Sequence, residues 1–130
     1  MNQTQAVERV KEHIESAAAE FPGDIELSPV EDPAFPTCEG EPGEDGHTVT
    51  VRHAYWVDGE PEEKNEELAE SIHAYWSSGN WRVTADERPE KLHIEAKNQE
   101  DHFRMNLVVS KDGRPSLAAY SPCVQADEGE

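Results

Sequence analysis

Apolar residues recur at helical spacing at the start of the chain, where Val7, Val10, Ile14, Ala17, Ala18 and Phe21 share one side of a 3.6-residue repeat. The spacing predicts an amphipathic helix over residues 4–21, ended by Pro22-Gly23. No period runs through residues 22–46. Prolines at 22, 29, 33, 36 and 42 and glycines at 23, 40, 43 and 46 mark that stretch as a loop. Strict alternation follows, with Val49, Val51, His53, Tyr55 and Val57 on one face and Thr48, Thr50, Arg52, Ala54 and Trp56 on the other, which predicts a strand over 48–57. Asp58-Gly59 turns the chain, and Pro61 with Glu60, Glu62 and Glu63 suits the first turn of a second helix. Its stripe is Leu68, Ala69, Ile72, Tyr75 and Trp76, and it ends at Ser77-Ser78-Gly79.

Four short alternating runs complete the pattern, at 81–85, 92–97, 103–109 and 116–120, joined by connections short enough for an antiparallel meander. The order helix, strand, helix, four strands predicts an α+β fold with helices on one face of a mainly antiparallel sheet of about five strands. Leu68, Ile72, Val83, Leu92, Ile94, Phe103, Met105 and Leu107 are its expected core. At 130 residues the chain suits one domain, with a Pro/Gly-rich acidic loop at 22–46 and a short flexible tail at 125–130. No apolar run approaches the length of a membrane span, so membrane attachment is expected only through a lipid anchor or a partner.

Charge divides the chain unequally. The net charge is −18; residues 1–70 carry 19 acidic and 4 basic side chains, net −15, and residues 71–130 carry 10 and 7, net −3. A field of that sign repels phosphate backbones, so nucleic acid is not an expected partner. It attracts a basic protein or simply keeps the chain soluble. Glu62, Glu63, Glu66 and Glu67, on the polar side or first turn of the second helix, are the candidate contacts for a basic partner. Trp56, on the strand face opposite Val57, is the candidate exposed aromatic.

Candidate chemistry narrows by elimination. The six histidines form no H-x-x-x-H pair and no H-E-x-x-H, and the cysteines lack zinc spacing. His53 and His73 are the pair from which a metal site could be built, with core or surface packing as the plainer role for each. The acidic loop residues Glu39, Glu41, Glu44 and Asp45 lack the alternation of a calcium loop. Ser121 has no nucleophile elbow around it. No cofactor is expected and no catalytic residue is assigned.

Cys38 and Cys123 leave two readings open, a disulfide or two separate thiols. A bridge between them would close a loop of about 85 residues and contribute at most about 4 to 5 kcal/mol, which a reducing compartment would withhold. No secretory segment is recognisable in residues 2–21, so an exported protein would have lost that segment ahead of Met1.

The run His53-Ala54-Tyr55-Trp56-Val57-Asp58-Gly59-Glu60-Pro61, the pair His73-Ala74-Tyr75-Trp76 and Gly79-Asn80-Trp81-Arg82-Val83, and the closing Ser121-Pro122-Cys123-Val124 resemble a group of small secreted lipoproteins of actinobacteria. The likeness covers roughly residues 5–125; a lipobox and lipidated cysteine are not part of this sequence. The resemblance implies a cell-envelope location and a bridge between Cys38 and Cys123, and carries no activity. The expected function is therefore that of a noncatalytic extracytoplasmic domain that binds a protein or ligand. An immunity-like inhibitor of a basic toxin or enzyme is its specific form, and a carboxylate- and histidine-dependent enzyme or metal carrier is the rival.

Overall fold

A computed structural model of the protein describes residues 2–126 except 22, 24, 39–47, 60 and 89. The first helix, α1, spans Gln3–Ala18. Asn2 starts it by accepting a hydrogen bond from the Gln5 N–H at 2.9 Å, while the Gln5 side chain accepts from the Asn2 N–H at 2.9 Å. This reciprocal cap satisfies two amide donors that the first turn leaves without partners. The helix stops three residues short of the predicted end, but Phe21 still reaches the core from the turn beyond it. A 3-10 turn, Glu62–Lys64, leads into α2, Asn65–Trp76. Leu68, Ala69, Ile72 and Trp76 form the fully buried stripe of α2.

The strands are β1 (Glu26–Pro29), β2 (Thr48–Val49), β3 (Arg52–Asp58), β4 (Trp81–Asp86), β5 (His93–Asn98), β6 (Arg104–Val109), β7 (Pro115–Tyr120) and β8 (Val124–Gln125). Six of them form one sheet in the order β1-β3-β7-β6-β5-β4, antiparallel throughout. The fold is α+β, with α1 packed over β3 and β7 and α2 over β4, β5 and β6. The helix-facing side holds Val57, Leu117, Ala119, Met105, Leu107, Ile94 and Ala96, all buried. Of the expected core, Val83 and Leu92 are only partly buried, at its margin. No helix among the described residues is long and apolar enough to cross a membrane.

The structure corrects three expectations. Residues 22–46 are not all loop, because Glu26–Pro29 pairs with β3. A four-residue strand containing proline shows no period, and Pro29 is tolerated because β1 lies at the sheet edge. The predicted strand 48–57 is two strands in different sheets, since Thr48–Val49 leaves the main sheet to pair with Val124–Gln125. That pairing also makes Gln125 part of a strand rather than the beginning of a tail; residues 127–130 lie outside the described residues, as does the acidic run Glu39 to Asp45.

Cys38 and Cys123 are joined by a disulfide with a Cα separation of 6.2 Å. The Cys38 N–H donates to the Thr48 carbonyl at 2.9 Å and Thr37 bridges to Val49, so the bond locks residues 37–38 onto the small β2–β8 sheet. A second tie holds α1. Asp101, in the β5–β6 turn, accepts from His13 Nε2 at 2.8 Å, from Arg9 Nε at 3.0 Å and from the Phe103 N–H at 3.1 Å. The His13 ring packs against Trp81 and Phe103, with centroids 5.0 and 5.2 Å away. Burial works to raise the Asp101 carboxyl, but these donors outweigh it and hold the carboxyl below its ordinary value.

Two outcomes follow from these ties. Unreduced protein in denaturant should show no titratable thiol, and reduction should lower the melting temperature by at least about 5 °C, since 85 residues separate the cysteines; two reactive thiols would disprove the bridge. For Asp101, whose folded pKa is depressed, the unfolded chain takes up the proton first as pH falls. Its stabilisation is thus complete above about pH 4 and is lost below it. Asp101→Asn should cost about 2 kcal/mol at pH 7 and flatten the acid limb of the stability curve, as followed by urea unfolding from pH 7 to pH 2.

Candidate functional site

Successive side chains of a strand point to opposite faces, so fixing the buried face of the sheet also fixes the other one. On that other face, Arg82 is directly opposite Lys97, Lys97 opposite Arg104, Arg104 opposite Tyr120 and Tyr120 opposite Arg52. Five adjacent strands thus contribute four cations and a phenol to one row, at the roughly 4.8 Å strand spacing. Among the described residues no carboxylate pairs with Arg52, Arg82, Lys97 or Arg104, although the chain carries 29 acidic side chains. Arg52 lies over the Tyr120 ring, 5.7 Å from its centroid. Like charges set directly opposite one another cost about 0.2–1 kcal/mol per pair, and this row has two such pairs.

The neighbouring rows are built differently. Glu95, Asn106, Ala118 and Ala54 form the second, and His93, Val108, Ser116, Trp56 and Ser28 the third. Glu95 is drawn to His93, with Oε2 3.0 Å from Nε2. In the third row Arg114 lies over the Trp56 ring at 4.2 Å and donates twice to Asp58, at 3.0 and 3.1 Å. Hydrogen bonds from Arg114 and Ser28 keep the Asp58 carboxyl below its usual value. Arg114 is thus a satisfied cation, whereas among the described residues the first row is met by the Tyr120 ring and by no carboxylate.

A bulge in β4 moves one carboxylate off this face of the sheet. Regular alternation would put Asp86 on the face of Arg82, but the register shifts between Val83 and Ala85 and brings Asp86 opposite buried Ile94. Asp86 there takes two side-chain hydrogen bonds from Arg88, at 2.9 and 2.8 Å, and stands 3.6 Å from His73 Nε2. The Arg88 bonds hold its carboxyl down to about 2.

The middle of the cation row, from Lys97 to Tyr120, opens into a cavity of about 540 Å³. Glu95, Lys97, Arg104, Met105, Asn106 and Tyr120 line it from the sheet, His102 from the β5–β6 turn, and Thr50 with Ser121-Pro122-Cys123 from the opposite rim. That rim is firmly held. Ser121 Oγ accepts from the Val51 N–H at 2.8 Å and donates to the Pro122 carbonyl at 2.7 Å, and the Ser121 N–H donates to the Val51 carbonyl at 2.9 Å. The disulfide anchors Cys123 beside it. His102 has a φ of +66°, a left-handed conformation that costs a residue with a Cβ about 1 kcal/mol or more and that glycine would adopt freely. The cavity size falls in the range of small-molecule sites.

The residues expected from sequence to form a site are scattered. Glu62 and Glu63 are exposed on the 3-10 turn and Glu66 and Glu67 are exposed on the first turn of α2, on the helical side of the molecule; Trp56 is half-buried on the opposite side of the sheet. His53 is buried on β3, where desolvation lowers its pKa, against Tyr55 at 4.5 Å; His73 is on α2 beside Asp86. These two histidines belong to elements at different ends of the sheet order and do not converge. Among the described residues no group of three or more His, Cys, Asp or Glu is placed to hold a metal ion. Ser121 has its hydroxyl committed to the backbone.

No family model, no curated protein and no solved structure matches the chain.

The unpaired row predicts its own test. At 0.15 M salt, charges beyond about 8 Å are screened, so the flanking arginines dominate the environment of Lys97 over the distant acidic layers. Lys97→Thr should therefore stabilise the protein by about 1 kcal/mol, with the gain shrinking at 1 M salt. Thermal unfolding at the two salt concentrations measures it, and a destabilised variant would show that Lys97 has a structural counter-charge.

Proposed function

We propose that the protein is a noncatalytic extracytoplasmic binding domain whose working surface is the uncovered face of the six-stranded sheet. The observation that carries this reading is the row Arg82, Lys97, Arg104 and Arg52, without a carboxylate partner among the described residues of a chain of net charge −18. A sheet face that served only solubility would be more stable with the alternating charges so abundant in this sequence. The disulfide supports an oxidising location, because such bonds do not persist in a reducing cytosol. The resemblance to small secreted lipoproteins of actinobacteria agrees with that location. The sequestered Ser121 and the separation of His53 from His73 favour binding over catalysis at these residues.

A second reading rests on the acidic ridge of the 3-10 turn and α2. Glu62, Glu63, Glu66 and Glu67 are all exposed there, with only Lys64 near Glu67, at 3.6 Å. That ridge would suit docking to a basic protein, as an immunity-like inhibitor would require.

Retention on a sulfonated matrix separates the two surfaces. At pH 7 and low salt, a protein of this net charge should flow through unless one face is locally cationic. The expected result is retention that salt abolishes, loss of retention in the Arg82→Gln/Lys97→Gln/Arg104→Gln variant, and unchanged retention when Glu62, Glu63, Glu66 and Glu67 are replaced by Gln. Flow-through of the unmodified protein would overturn the cationic-face reading.

A further inference from the structure

We infer that the cavity at the middle of the cation row binds a sugar carrying a carboxylate or phosphate group. This inference rests on the uncovered sheet face being the binding surface and adds the chemical class of the ligand. Lys97 and Arg104 are adjacent across two strands and both line the cavity, with His102 at its lip. Arginine's fork matches the paired oxygens of a carboxylate or phosphate, and a neighbouring lysine supplies a second point charge. Among the described residues neither cation has a carboxylate partner that an incoming anion would have to displace.

The rest of the lining specifies more than an anion. Asn106 donates its Nδ2 to the Tyr120 hydroxyl at 3.3 Å, its Oδ1 accepts from no donor among the described residues, and the Thr50 hydroxyl and Glu95 add further acceptors. Bare phosphate at neutral pH is mainly an acceptor of hydrogen bonds, so it leaves such acceptors unused. A hydroxylated body fills both needs, its anionic group on Lys97 and Arg104 and its hydroxyls donating to Asn106, Thr50 and Glu95. Nucleic acid fits less well. Its single-stranded recognition depends on open aromatic faces for base stacking, and here Arg52 lies over Tyr120 and Arg114 over Trp56. The volume of about 540 Å³ accommodates a monosaccharide or the terminal residue of a glycan whose next residues would follow the row toward Arg82 or Arg52.

The experiment is an amide-resolved NMR titration of the oxidised protein with four probes: glucuronate, glucose 6-phosphate, glucose and inorganic phosphate. At least one acidic sugar should shift the Thr50, Asn106 and Tyr120 signals with a dissociation constant of about 1 mM or tighter, and should do so more strongly than glucose or inorganic phosphate. Comparison of the first two distinguishes carboxylate from phosphate. Arg104→Gln should weaken binding about tenfold or more, and Asn106→Ala should weaken the sugar anion while leaving inorganic phosphate unchanged. Both positions are at least partly exposed, and an unchanged melting temperature confirms that each variant folds. Inorganic phosphate binding as tightly as either sugar would overturn the hydroxylated ligand. Failure of both acidic sugars in protein still retained by the sulfonated matrix would overturn the ligand class alone, and failure in protein that also flows through would overturn the binding surface with it.

Discussion

Everything on the exposed side of this protein depends on the register of β5, β6 and β7. Met105, Leu107, Leu117 and Ala119 are fully or almost fully buried beneath the helices, and a slip of one residue would turn that apolar set toward water. Burying a Leu or Met side chain is worth about 1.5–3 kcal/mol, several times the repulsion between adjacent cations on a strand pair. The core therefore dictates pairing, and Lys97 opposite Arg104 and Arg104 opposite Tyr120 are unavoidable consequences of Ala96 opposite Met105 and Met105 opposite Ala119. What the core does not dictate is that these outward positions carry cations. That composition is free to vary without disturbing the fold, which is why its bias is informative about function.

Charge in this molecule is segregated more than it is abundant. The acidic ridge of the 3-10 turn and α2 and the cationic row occupy opposite sides of the sheet. Where charges are structural they are paired: Arg9 with Asp101 and Glu12, Arg88 with Asp86, Arg114 with Asp58. The β4 bulge contributes to the segregation by carrying Asp86 to the helical side, where Arg88 and His73 meet it. Bulges commonly re-aim a side chain at functional edges, and here the effect is to take Asp86 off the face that carries the cationic row.

The disulfide and the cavity are parts of one structure. Cys123 follows Ser121 and Pro122 on the rim, Cys38 is hydrogen-bonded to Thr48, and Thr50 joins the same rim two residues later. The bridge fixes where β2 and β8 meet, and thereby how far Thr50 stands from the row on β5 and β6. A small domain with few residues in each wall has little else with which to hold an irregular rim in place, and a covalent tie supplies that rigidity.

The alternating and helical periods by themselves determined the two helices, five of the six main strands, the faces of each strand and most of the core, because burial imposes a local repeat on any element that packs against another. They also put Arg52, Arg82, Lys97, Arg104 and Tyr120 at outward positions of their separate strands. The expected meander makes the last four strands neighbours, but the pairing of β3 with β7, which joins Tyr120 to Arg52 across 68 residues, and the exact register that sets Arg82, Lys97, Arg104 and Tyr120 opposite one another could not be read there. Glu26–Pro29 was hidden because four residues at a sheet edge need no repeat, and the division of 48–57 because an unbroken alternation runs across both strands. The acidic excess was conspicuous in composition, yet composition has no direction in space. Only the tertiary structure decided that the rarer charge would be gathered on one face, since strand register and the pairing of β3 with β7 set which side chains on different strands become adjacent.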